Sequence, residues 1–201
     1  MEFIAGQMAS HAGKKAYAGV SSQLGRAAGR GKYSHIQWEN YNYPPCMKLI
    51  HYDLDEIEEP TRTYVQRLNI SLVLTFFGCL LNLINNIVWC IMGIGGPRVV
   101  YSFFNILLFP PLGLYAFYKG FRSLIDLQDQ RSYYKIGQWV LLVIWLLAAV
   151  TTMGSFNGAL SLTALYDRSI ISGVLGSIEV AINTLNLLLS IFNLHTMNKL
   201  D

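Results

Sequence analysis

Charged residues are missing from four long stretches of this 201-residue chain, and that pattern restricts its fold more than any other feature. None falls between Arg67 and Arg98, none between Arg98 and Lys119, and none from Ile136 to Tyr166. Between Arg168 and Lys199 there is only Glu179. A soluble core helix can be apolar on every side, but four such runs leave too little polar surface to stay in water. At about 20 apolar residues per bilayer crossing, they predict spans over 70–92, 99–117, 138–156 and 170–194. The expected fold is an all-α membrane protein, a bundle of four transmembrane helices. The low charged fraction of 13%, against roughly 25% in soluble domains, agrees with it.

Orientation follows from lysine and arginine, which concentrate on the cytosolic side of spans. Eight precede span 1, four (Lys119, Arg122, Arg131, Lys135) lie between spans 2 and 3, and Lys199 follows span 4. The two opposite loops carry Arg98 and Arg168 alone. Both termini are therefore expected in the cytosol. This divides the chain into a flexible basic tail (1–40), a juxtamembrane cytosolic segment (41–69), the four-span domain (70–194) and a short cytosolic C-terminus (195–201).

The tail is rich in glycine and poor in acid. Apolar residues recur in it at about four-residue spacing, so a weak amphipathic helix at anionic lipid and an organelle address stand beside the flexible reading. His51 lies close to Asp53, Asp55 and Glu56. That cluster lacks the glycine turn and terminal glutamate of a calcium loop, so a solvated acidic surface is expected and no metal or cofactor. Cys46 lies where reversible acylation of a juxtamembrane thiol is an option. A net charge of +3 without basic clustering excludes a nucleic-acid partner.

Two spans carry polar stripes. Ser71, Thr75, Gly78, Asn82, Asn85 and Trp89 share one face of span 1, and Gly176, Glu179, Asn183, Asn186, Ser190 and Asn193 share one face of span 4. Amides in hydrocarbon need hydrogen-bond partners, so such faces turn toward other helices. Depth counted from the cytosolic ends sets Glu179 opposite Asn82 or Asn85, with Asn183 and Asn186 completing the polar packing. An intramembrane carboxylate raises a proton relay as one reading. With no second intramembrane charge and no basic partner, a protonated acid bonded to an amide is the preferred one.

The segment Pro110-Pro-Leu-Gly-Leu-Tyr-Ala-Phe-Tyr-Lys-Gly-Phe-Arg122 ends span 2. Prolines remove helix donors, so an interruption and kink are expected at Pro110-Pro111, tipping Tyr115, Phe117, Tyr118 and Phe121 into the headgroup boundary. Lys119 and Arg122 would then meet anionic lipid, each contributing roughly 1 kcal/mol. Residues 123–135 read as a short interfacial helix. No catalytic motif accompanies these features, and no enzyme is expected.

Two motifs together resemble the secretory carrier membrane protein (SCAMP) family over about residues 40–195. The first is Asn42-Tyr-Pro-Pro45 with Ile50-His51, Asp53, Glu56-Ile57, Pro60 and Gln66-Arg-Leu68; the second is Tyr118-Lys-Gly-Phe-Arg122. The family segment there ends Tyr-Lys-Ala-Phe-Arg and usually opens with tryptophan and Tyr-Arg-Pro, where this chain has Leu114-Tyr-Ala-Phe117. The tail holds no Asn-Pro-Phe, so this resembles a short form. The resemblance implies a non-enzymatic tetraspan protein of post-Golgi and recycling vesicles, at Golgi, endosomal, secretory-vesicle or plasma membranes. It would act in vesicle trafficking, exocytosis, cargo recycling or membrane fusion with trafficking proteins as partners. Tyr118, Lys119, Phe121 and Arg122 are its lipid-binding candidates, for anionic phosphoinositides. The alternative is a small channel, transporter or membrane-complex subunit, a homo- or hetero-oligomer that uses the polar faces of spans 1 and 4.

Overall fold

The computed structural model describes residues 33, 35–93, 95–125, 128–152 and 154–199. The readings made of the N-terminal tail fall on residues 1–32, outside the described residues. The described residues form five α-helices in order: α1 (Thr61–Ile91), α2 (Gly96–Ile125), α3 (Arg131–Val150), the short α4 (Leu162–Arg168) and α5 (Ile170–Lys199). No strand occurs among the described residues, only an isolated antiparallel bridge between Tyr43 and Ile50. Four of the helices, α1, α2, α3 and α5, are long and apolar enough to cross a membrane. The protein is thus an all-α, multi-pass integral membrane protein.

Neighbours pack in a closed ring, α1 on α2, α2 on α3, α3 on α5 and α5 on α1. At 1.5 Å per residue, the helices of 30 residues or more are about 45 Å long. That exceeds the roughly 30 Å hydrocarbon core, so they project beyond it, whereas the 20 residues of α3 match it. The start of α1, the end of α2 and the end of α5 all lie at one end of the bundle, called the termini end below. There they form a platform for the segment that precedes α1.

Three boundaries differ from expectation. The interruption at Pro110-Pro111 does not occur, because α2 continues through both prolines to Ile125. Their fixed φ is itself helical, and in an apolar setting the remaining ladder has no competing partner. The connection that reads as an interfacial helix is instead the end of α2, a 3₁₀ turn over Gln128–Gln130 and the start of α3. Finally, α3 stops at Val150, and the following residues fold back into the bundle. Ser155, Phe156 and Asn157 are all buried. Gly158 closes this loop by donating its backbone N–H to Thr151 O at 2.9 Å. A Cβ on Gly158 would stand 2.3 Å from that same oxygen, so the closure requires glycine.

Candidate functional site

At the termini end, residues 36–60 dock on the projecting part of α2. Phe117 and Phe121 stack on one face of that helix with ring centroids 6.0 Å apart. Trp38 meets Phe121 edge-on at 5.3 Å, and Tyr52 meets Phe117 at 5.4 Å. Tyr43 packs on Tyr52 at 5.0 Å and donates its hydroxyl to Asn69 Oδ1 at 2.7 Å. Edge-to-face pairs of this kind add about 1 kcal/mol each beyond simple burial. Burial raises the Tyr43 hydroxyl pKa and pushes that of Tyr52, with Tyr43 beside it, up to about 12. His51 is buried rather than solvated. Its Nδ1 lies 2.9 Å from Asn40 O and its Nε2 2.7 Å from the Glu56 carboxylate.

This docking divides the four lipid-binding candidates. Phe121 has no exposed surface and Phe117 almost none, so neither ring stands at the headgroup boundary as expected. Arg122 is held against the docked segment, with its guanidinium 4.1 Å from the centre of the Trp38 ring and Nη1 donating to Tyr118 Oη at 3.0 Å. Lys119, one turn before Arg122, makes a separate set of contacts. Its ammonium lies 5.5 Å from the rings of both Tyr115 and Tyr133 and donates to Gln130 Oε1 at 2.7 Å. Tyr115 and Tyr133 are 44% and 54% exposed. Tyr133 lies fourteen residues from Lys119 and Gln130 eleven, across a turn, so helical spacing within the motif could not reveal them.

The second polar assembly is inside the bundle. Glu179, with no exposed surface, accepts at Oε1 from Asn82 Nδ2 at 2.7 Å and at Oε2 from Asn85 Nδ2 at 2.6 Å. The inward loop supplies the other donors. Asn157 donates its backbone N–H to Oε1 at 3.2 Å and Nδ2 to Oε2 at 2.9 Å. Every contact to the carboxyl group is therefore an N–H donor, and both oxygens act as acceptors. Ser155 extends the assembly, with its carbonyl accepting from Asn82 and Asn86 and its Oγ bonded to Asn82 Oδ1 at 2.9 Å. Asn105 of α2 joins through Ser155 Oγ at 2.7 Å.

No basic side chain bonds Glu179 directly among the described residues, but one reaches the hub through Asn157. Arg98 Nη1 donates to Asn157 Oδ1 at 3.1 Å, so one side chain connects it to Glu179. Asn183 and Asn186 lie on the same column toward the termini end, where they make longer bonds to backbone carbonyls: Asn183 to Ala148 O at 3.4 Å and Asn186 to Leu74 O at 3.2 Å. The polar faces of spans 1 and 4 are thus turned on each other and on the loop. Asn105, Ser155 and Asn157 escape a search for stripes because each is a lone polar residue in an apolar or loop stretch.

These features define a class, a four-span integral membrane protein with a polar hub inside the bundle and an aromatic platform at the termini end. The model of the SCAMP family matches residues 40–201, and the chain belongs to that family. No match came from the curated proteins, and none from the solved structures. Membership makes it a membrane protein related to trafficking, in a non-enzymatic family, and the match begins after the tail, as suits a form without Asn-Pro-Phe repeats.

Proposed function

We propose that this protein acts in the traffic of post-Golgi and recycling vesicles, in transport, cargo recycling or fusion, and that its termini end faces the cytosol. There it carries Lys119 as a contact for anionic phosphoinositides. The observation that supports this reading is the position of Lys119 between two exposed tyrosines on the platform. Rings with a polar tip favour the headgroup region, and a cation held beside them meets anionic phosphate without first being ordered. Arg122 serves a different purpose, fixing the docked segment through Trp38. Arg131 and Lys135 begin α3 on the same end and add to the positive potential there.

Localisation tests the trafficking part. A tagged full-length copy is expected on Golgi-derived and endosomal membranes, and a wholly mitochondrial distribution contradicts the reading. The channel or complex-subunit alternative finds less support. The amides it would need for a pathway or a partner are bonded within the chain.

A further inference from the structure

Between all four spans, near the termini end, lies a small cavity of about 10 Å³. Its walls include Ser71 and Thr75 of α1, Gly113 of α2, Tyr134 and Gln138 of α3, and Asn193 of α5. Three of these residues are buried almost completely, with Tyr134 0%, Gln138 3% and Asn193 2% exposed. Each also has a polar atom without a protein partner: Tyr134 Oη, Gln138 Nε2 and Asn193 Nδ2. The Asn193 amide cannot simply be turned round, because its Oδ1 accepts from Arg67 Nε at 2.9 Å.

We propose that this cavity is a binding site for one ordered water molecule that ties the four spans together. The size and the chemistry agree. A volume of this order holds one water and little else, and a buried water needs two to four polar partners. The Asn193 N–H donor, held in that orientation by Arg67, calls for an acceptor and so argues against a metal cation, and the volume excludes chloride or a larger anion. A water can accept from Gln138 and Asn193 and complete its bonding with the Tyr134 hydroxyl, which donates or accepts. Left dry, the buried donors would each carry an uncompensated desolvation cost. The site lies directly beneath Phe117, so the water supports the part of α2 on which the aromatic platform rests.

Radiolytic hydroxyl-radical footprinting of the full-length protein in nanodiscs tests this, because radicals formed from a bound water label the side chains around it. Tyr134 is compared with Phe121, equally buried in the same core cluster but not lining the cavity, and with exposed Tyr41. The expected result is Tyr134 labelling close to that of Tyr41 while Phe121 stays protected; protection of Tyr134 equal to that of Phe121 overturns the proposal. In a Gln138→Leu variant, which replaces the polar amide with an apolar wall, Tyr134 labelling is expected to fall several-fold with Tyr41 unchanged. Undiminished Tyr134 labelling in that variant also overturns it. The comparison in the unmodified protein needs no variant to fold.

Discussion

Asn157 clamps Glu179 twice, through its backbone N–H at 3.2 Å and its side-chain amide at 2.9 Å. The two residues belong to different parts of the fold, a loop that leaves span 3 and the middle of span 4. Together with the bonds of Ser155 to Asn82, Asn86 and Asn105, their contact holds the loop inside the bundle.

Glu179→Gln is expected to destabilise the bundle by about 3 kcal/mol, because an amide offers one acceptor where four N–H donors converge and turns its own N–H groups toward some of them. Asn183→Ala, which removes one long bond to Ala148 O, is expected to cost only about 1 kcal/mol. Unfolding in detergent with added SDS measures both. Equal effects would mean that the hub is no stronger than the rest of the column.

Asn157→Ala removes the side-chain link between Arg98 and Glu179 as well as one bond to the carboxyl group. Hydrogen exchange in residues 151–158 is expected to accelerate while that of α1 and α5 holds. Unchanged exchange in the loop contradicts the clamp.

Gly120 packs against Tyr134, where a Cβ would come within 2.7 Å of the ring. Tyr134 is fully buried and has little room to retreat. Gly120→Ala is expected to cost about 2 kcal/mol of stability, and a smaller residue at position 134, as in Tyr134→Leu, should recover part of that loss. Thermal unfolding of the single and double variants decides it.

Docking of residues 36–60 should depend on alkaline pH through Tyr52. Its hydroxyl is raised from 10.0 to about 12 in the folded protein. Below pH 10 it is neutral in docked and undocked states alike, and the contact is intact. Between pH 10 and 12 only the undocked hydroxyl ionises, so docking weakens as pH rises. The Trp38 contribution to fluorescence, isolated by difference from Trp38→Phe, should shift over that interval, and Tyr52→Phe should reduce the shift.

What the sequence reveals and what it hides have physical causes. Four spans are legible because hydrocarbon excludes charge, and Arg67, Arg98, Lys119 and Lys135 mark the edges of the runs. The facing of Glu179 toward Asn82 and Asn85 is legible from helical spacing and depth. The loop escapes detection because Ser155 and Asn157 are ordinary loop residues whose burial depends on four helices closing around them. The double proline misleads because its cost is local, while α2 is held along its length by neighbours on two sides. Phe117 and Phe121 mislead for a related reason: rings near a membrane edge suit the headgroup region, and only the docked Trp38 and Tyr52 show them covered.

The central claim is that Lys119, between Tyr115 and Tyr133, contacts anionic phosphoinositide. The most direct measurement is photo-crosslinking of a phosphoinositide analogue to the full-length protein in vesicles, with the attachment sites mapped. Crosslinks are expected in residues 115–135, and Lys119→Gln should lower them roughly fivefold, the equivalent of about 1 kcal/mol for one basic residue. Crosslinks that map elsewhere, or that survive Lys119→Gln undiminished, contradict it.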